Sequence, residues 1–336
     1  MSYVSIGDMA QTYMIRRQNA QLKSTATRLA SELSTGKTND VAKRFSGDFS
    51  MISSVETSLS TLRAYKVASN EAAQFTTVMQ STLDIVQGQT TKAVSALLLT
   101  SDSSSQTQIV NTASGVRQNF DAVVSSLNTQ VGGRSIFAGS ATDGPAIASP
   151  SVILADLKTA IAGQTTAAGV ETVVNTWFDA PGGGYETNGY LGSTSSIAPF
   201  EIGFGQKANV PITASDSEIR DTLKGLALAA LITEDALVGD IAEQTLLLQN
   251  SADRLLTVGD RQTSMRANLG SVEAMIEDGS TQTASEISAL EIVRTELLSV
   301  DPYDAASELE AVQTQLETLY ALTARMSRLS LVDFLR

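Results

Sequence analysis

Apolar residues return at alternating spacings of four and three near both ends of this chain. Over residues 1–34 the seam runs through Ile15, Leu22, Ala26, Leu29 and Leu33, the pattern of a helix lying along a partner as in a coiled coil. Gly36 ends that helix as a C-cap glycine does. A polar loop follows over 35–49, carrying Lys37, Asn39, Asp40, Lys43, Arg44 and Gly47. A second helix is predicted over about 50–98, through Ile52, Val55, Leu59, Leu62, Phe75, Met79, Leu83, Val86, Ala93 and Leu97. The polar run 101–105 breaks it. A third, over about 106–130, presents Ile109, Ala113, Val116, Phe120, Val123 with Val124, and Leu127, and stops at Gly132-Gly133.

The periodicity lapses between about 141 and 213, where Pro145, Pro150, Pro181, Pro199, Pro211, the run Gly182-Gly183-Gly184 and Trp177 fall. Val170 to Phe178 and Phe200 to Phe204 read as β-prone pieces between turn signals, and one helix is expected over about 152–162. Helical patterning resumes at Ser215, with Glu218 completing a capping box, and reaches about 236. It continues over 240–277 through Leu248, Ala252, Leu255, Leu269, Val272 and Ile276. Asp278-Gly279-Ser280 reads as a short connection to a further helix at 284–299. Asp301-Pro302 then starts the last helix, in which Ala305, Leu309, Val312, Leu316, Leu319, Thr323 and Met326 keep a strict four-three alternation.

The expected fold is mainly α: a long antiparallel helical bundle or coiled-coil stalk formed by the N- and C-terminal regions, with an inserted α+β domain. Its parts are an N-terminal coiled-coil helix and loop (1–49), the first half of the stalk (50–140), the inserted domain at its far end (141–213), the second half of the stalk (214–299) and a C-terminal coiled-coil helix (300–336). A length of 336 residues fits about two domains.

Composition narrows the function. Aromatic residues are only 5% of the chain while apolar residues are 42%, which suits slender helical packing better than a thick core. A net charge of −13 repels nucleic acid and anionic lipid, so neither is an expected partner. No apolar run approaches membrane-spanning length; the longest, Leu226 to Ile232, fits inside one amphipathic helix. The opening Met1-Ser2-Tyr3-Val4-Ser5-Ile6 lacks the basic and apolar regions of a cleaved signal peptide, which by ordinary rules leaves the chain in the cytoplasm.

Cysteine and histidine are both absent from the sequence, which removes disulfides, thiol nucleophiles, most zinc sites and the commonest general base. No residue stands out as catalytic, cofactor-binding or metal-binding, and no cofactor is implied. The triple glycine is followed by no Gly-Lys-Ser/Thr and so is no phosphate loop; with Asn188-Gly189 it reads as a hairpin or turn. Glu277-Asp278 and Asp301 with Asp304 lack EF-hand spacing and read as helix ends and caps. Arg134 is either a buried or interfacial ion-pair partner or an exposed turn residue.

Three segments carry a resemblance. The first is Leu29-Ala30-Ser31-Glu32-Leu33-Ser34-Thr35-Gly36-Lys37. The second is Leu127-Asn128 followed by Gly132-Gly133-Arg134-Ser135-Ile136-Phe137-Ala138-Gly139-Ser140. The third is Leu329-Ser330-Leu331-Val332-Asp333-Phe334-Leu335. In this order they resemble the helix end L…LSSGK, the element GRYLFGG and the ending LSLLDYL of the flagellin family, specifically its hook-associated protein 3 branch. With the helical frame, the resemblance covers roughly 1–140 and 215–336. Departures are Phe45-Ser46-Gly47-Asp48-Phe49 where the family has an Asp-Asp-Pro-type turn, and Ser135 and Ala138 in place of the Tyr and first paired Gly.

The resemblance implies a structural component of the bacterial flagellum and no enzyme: a junction protein joining hook-side proteins to the flagellin filament. It implies export through the flagellar secretion apparatus without a cleaved signal peptide, an extracellular location and assembly through the terminal helices. Its partners would be copies of itself in a ring, a neighbouring hook-associated protein, flagellin and an export chaperone. Val4, Ile6, Met9, Leu329, Leu331, Val332, Phe334 and Leu335 are too apolar for solvated tails, so neighbouring copies are expected to cover them along the inner wall of a hollow tube. Two other readings stand beside this one: a flagellin filament subunit, which the Arg336 ending resembles, and, in another class, an intracellular coiled-coil scaffold. A carboxylate hydrolase in the inserted domain would need converging acids that the sequence does not show.

Overall fold

The structure, a computed structural model, describes residues 6–101 and 104–334, with side chains over 9–101 and 104–326. In chain order it contains α1 (Ile6–Thr35), α2 (Val41–Arg44), α3 (Ser50–Leu97), α4 (Gln106–Leu127), β1 (Gln130–Val131), β2 (Arg134–Ser135), α5 (Pro150–Ala160), α6 (Ala167–Asp179), a π-helical turn (Tyr185–Gly189), β3 (Phe200–Gly203), β4 (Gln206–Ala208), α7 (Ser217–Ala230), a 3-10 turn (Leu231–Glu234), α8 (Ile241–Leu298) and α9 (Pro302–Phe334). The fold is mainly α, with long helices packed against one another and few strands. The chain forms two compact units: unit 1 is Met1–Arg63 with Ser285–Arg336, and unit 2 is Ala64–Ala284.

Heptad stripes organise unit 2. On α3 the buried positions Ala72, Phe75, Met79, Thr82, Val86, Thr90, Ala93 and Leu97 follow one another at three or four residues, so they share one face. On α4 the predicted residues Ile109, Ala113, Val116, Phe120, Val123, Val124 and Leu127 are all buried. Along α8, Leu248, Ser251, Leu255, Val258 and Gln262 continue through Leu269 and Ile276 to Gly279 and Thr283. The helices α3 and α8 run in opposite directions: Arg266 pairs with Asp84 (2.9 Å) while Gln262 Nε2 donates to Thr90 Oγ1 (3.3 Å).

The connection expected at Asp278-Gly279-Ser280 does not exist, because α8 passes through it unbroken. Gly279 falls on the inner stripe, where an added Cβ would lie 3.2 Å from Ile202 Cδ1 of β3. The glycine therefore costs helix propensity and gains the close approach of a strand. Glu277 and Asp278, expected at a helix end, are accordingly helix-interior residues.

The segment Val170 to Phe178, expected as a β-prone piece, is helical within α6. Its cap is Thr166, whose hydroxyl accepts from Gly169 N at 3.1 Å. Val170, Val174, Trp177 and Phe178 all face the core, and that burial outweighs the modest helix penalty of the segment's three valines. The start of α7 also differs. Asp216 is the N-cap residue, without a side-chain cap bond, and the Ser215 hydroxyl lies 2.7 Å from Thr213 Oγ1 instead of capping. The following run Leu226–Ile232 is not amphipathic but buried throughout. At Gly225 a Cβ would come within 2.5 Å of Leu255, which marks how closely α7 approaches α8. The strand expected from Phe200 is present as β3, paired antiparallel with β4, and the helix expected at 152–162 is α5.

Candidate assembly interface

In unit 1, α1 and α9 lie antiparallel. Gln11 Nε2 reaches Met326 Sδ at 3.8 Å, and the Lys23 ammonium stands 5.8 Å from the centre of the Tyr320 ring. Towards the other end of the pair the main chain closes the contact: Thr38 N donates to Leu298 O (2.9 Å) and Val300 N to Gly36 O (3.0 Å). Glu32 organises this closure. Its carboxylate sits in the last turn of α1, where the helix dipole disfavours negative charge, and it is only 3% exposed. Arg28 Nη1 and Asn39 N, both donating at 2.9 Å, compensate it. Gly36 leaves the helix at φ +67°, the left-handed conformation that favours glycine. The neighbouring stretches of α3 and α8 are tied by Arg63–Glu291 (3.0 Å) and Arg294–Glu56.

The α9 seam follows the predicted register, with Ala305 and Leu319 buried, Leu309, Val312, Leu316 and Met326 half-buried and Thr323 exposed. On α1, Leu29 is buried and Ile15, Leu22 and Ala26 are half-buried, but Leu33 is exposed because Glu32 takes the inward place. A two-helix seam covers each helix on one side only. Met9, Tyr13 and Met14, close together on α1, remain 61–70% exposed, and Tyr303 at the other end of the pair is 79% exposed; apolar side chains grouped as the first three are mark a surface built to be covered. Of the tail residues named above, Met9 is thus open, and Val4, Ile6, Leu329, Leu331, Val332, Phe334 and Leu335 lie outside the described side chains.

In unit 2 the Gly132–Ser140 element is a fastening. Gly132 (φ +58°) and Gly133 (φ +80°) make the tight turn joining β1 to β2, both central residues taking the positive φ that such hairpins need. Phe137 is fully buried. Around it Ala214 N donates to Phe137 O (2.8 Å), Ser193 N to Ala138 O (2.8 Å) and Ser140 N to Ser195 O (2.9 Å), so two distant segments, 193–195 and that of Ala214, meet on this element. Arg134 opens β2 as a half-buried strand residue, neither buried nor in the turn, and pairs with Glu71 at 2.7 Å, a contact of small energetic weight. Gly139 holds φ +60°, and a Cβ there would collide with the carbonyl oxygens of Ser193 and Ser195. Gly139→Ala is expected to destabilise the protein by at least about 2 kcal/mol, read as a fall in the thermal midpoint by circular dichroism; an unchanged midpoint would disprove the fastening.

A charged cluster escaped the sequence reading. Lys224, 2% exposed, bonds Asp179 and Asp221, and Asp221 also meets Arg261 at 2.7 Å. Arg254 joins it through Asp221 at 3.7 Å and also pairs with Glu171 at 2.9 Å. Burial pushes the Asp221 carboxyl up, and the hydrogen bonds and charges of Lys224 and Arg261 more than reverse this, leaving its pKa below the usual carboxylate value. The readable signal was a lysine inside an apolar run with an aspartate three residues before it. Among the described residues no group of three or more His, Cys, Asp or Glu is arranged to hold a metal ion, and no helix is long and apolar enough to cross a membrane.

Long helices packed along apolar seams define a mainly α, helical-bundle protein. Residues 258–335, the later part of α8 with α9, match the family model for the bacterial flagellin C-terminal helical region. That later part of the chain is thus similar to the C-terminal helical region of bacterial flagellin. No curated protein sequence matches it. A solved structure assigned as a flagellar hook-associated protein, from Vibrio parahaemolyticus, is similar at 13% identity with a TM-score of 0.42, over 73% of this chain and 99% of that one.

Proposed function

We propose that this chain is a junction subunit, joining hook-side proteins to the flagellin filament and assembling with copies of itself through α1 and α9 after export by the flagellar apparatus. The observation that carries the reading is the α1–α9 pair: a matched seam with a second, uncovered apolar face, whose α9 lies in the region that matches the flagellin C-terminal model. Helices paired on one side only are marginal alone, so burial by neighbours supplies the remaining stability, and both ends are proposed to become fully ordered on assembly. The Gly132–Ser140 element supports a junction protein over a filament subunit, because its sequence resembles that branch. A neighbouring hook-associated protein, flagellin and an export chaperone are the proposed partners, and the proposed location is extracellular. The second reading, a flagellin filament subunit, is favoured by the match to the flagellin C-terminal region itself.

Deleting the gene separates the two. Loss of a junction protein should leave hooks without filaments and flagellin in the medium, whereas attached filaments in the deletion strain would overturn the junction reading. Leu316→Glu refines the test. Leu316 is half-buried in the seam, so the variant should lose attachment while its purified form keeps the thermal midpoint of unit 2. A normally motile Leu316→Glu strain would refute assembly through α9.

A further inference from the structure

We propose that Asn188 is a modification site guarded by the fold. It loses its side-chain amide by attack from the Gly189 nitrogen when the turn that carries it opens, it is protected while that turn is closed, and its product weakens the turn. The inference concerns unit 2 alone and stands apart from the subunit reading above.

Asn188-Gly189 is the one Asn-Gly pair in the chain. Such a pair is chemically labile because glycine has no side chain to shield its backbone nitrogen. That nitrogen, its proton removed by hydroxide, attacks Asn188 Cγ. An N–Cγ bond forms, the Cγ–Nδ2 bond breaks, and the side-chain nitrogen takes a proton from water and leaves as ammonia. The five-membered imide then adds water at either carbonyl and opens to aspartate or isoaspartate. The net change exchanges ammonia for water and needs no oxidant or reductant.

Packing imposes the glycine. A Cβ at 189 would lie 2.8 Å from the Tyr185 ring and 3.0 Å from that of Trp177, and both rings are buried. The asparagine has a partner of its own. Its Nδ2 donates to Asp156 Oδ2 of α5 at 2.9 Å, on a side chain otherwise open to water. The labile pair therefore cannot be relieved at its second residue without a clash.

The backbone protects what the packing imposes. The pair ends the π-helical turn Tyr185–Gly189, in which amides bond carbonyls five residues back. Tyr190 N closes the turn on Tyr185 O at 2.5 Å, Ala148 N donates to Gly189 O at 2.8 Å, and Leu191 N donates to Ala146 O at 2.9 Å. A helical backbone directs the next residue's nitrogen away from the asparagine side chain, whereas the attack needs Asn188 extended. Reaction waits for the turn and segment 146–148 to separate, which is a local opening. Afterwards a carboxylate faces Asp156 where an amide donated before, so a hydrogen bond is lost and like charges meet.

The test uses the full-length chain at one pH and temperature, in buffer and in guanidinium chloride above its unfolding midpoint. Mass spectrometry of peptides spanning residue 188 follows conversion to aspartate and isoaspartate. Conversion should proceed in denaturant and run at least about 30-fold slower in the folded chain, the population factor of an opening that costs roughly 2 kcal/mol. Comparable rates in the two, or no conversion in denaturant, would overturn the protection. Asn188→Asp reads the consequence for the turn. Its thermal midpoint should fall by about 2–4 °C, and adding Asp156→Asn, which exchanges donor and acceptor, should restore it. A parental midpoint for Asn188→Asp, or a double variant no more stable than the single one, would overturn the weakening of the turn.

Discussion

Leu83→Asp should strongly destabilise unit 2. Leu83 lies on the inner face of α3, beside Met79 and Val86 in the buried core, and is 5% exposed. The substitution removes an isobutyl group, worth about 2–5 kcal/mol with the cavity it leaves, and puts a carboxylate among apolar groups. The charge has no partner there, so the aspartate must either take up a proton or draw water into the core, and either adds to the cost. A loss of about 5 kcal/mol would lower the thermal midpoint of a unit of this size by roughly 10–20 °C. Circular dichroism melting of the purified chain reads it. A parental midpoint would mean that this face of α3 does not pack against the core.

The second large effect is expected at the charged cluster of α6, α7 and α8. Asp221→Ala leaves Lys224, whose side chain is 3% exposed, with Asp179 alone, and deprives Arg261 of its 2.7 Å partner. Breaking a buried ion pair from one side costs about 3–5 kcal/mol, whereas replacing the buried charges together is often neutral. Asp221→Ala should therefore be strongly destabilised, and Asp221→Ala with Lys224→Met should recover much of the loss. A double variant no more stable than the single one would show that the buried ammonium is not the source of the cost.

The same cluster sets a pH dependence. The pKa of Asp221 is depressed in the folded chain, so its stabilisation is complete above the ordinary value of about 3.9 and is lost as pH falls through the lower folded one. Asp216 acts in the opposite sense: burial raises its pKa, so its contribution is fullest below the ordinary value and is lost as pH rises through the raised one. Subtracting the stability of Asp221→Ala from that of the parent, pH by pH, isolates the first effect. The difference should be flat near neutrality and shrink below about pH 4.

Much of this architecture is written in spacing. The stripe Ile109 to Leu127 of α4 and the seam Ala305 to Leu319 of α9 could be read residue by residue, because a helix places every third or fourth side chain on one face and the core accepts only apolar ones there. The motifs at 29–37, 127–140 and 329–335 likewise carry a resemblance to the flagellin family that is legible without the fold. What the spacing could not show is which neighbour sits over each face. Gly279 looked like a break and proved to be a site of close approach, since only the position of Ile202 makes a missing side chain useful. Val170 to Phe178 looked like a strand and is a helix, since local propensity differences are small beside the burial of Val174, Trp177 and Phe178. Lys224 sat unnoticed in an apolar run, because its second partner, Asp179, lies 45 residues away in sequence. Leu33 was given the inward place that Glu32 occupies, since a buried carboxylate is tolerable only once Arg28 and the Asn39 amide are brought to it. Local periodicity belongs to the sequence; the pairing of charges and the fit of small residues against distant backbone belong to the tertiary structure, because those energies depend on distances between groups far apart along the chain.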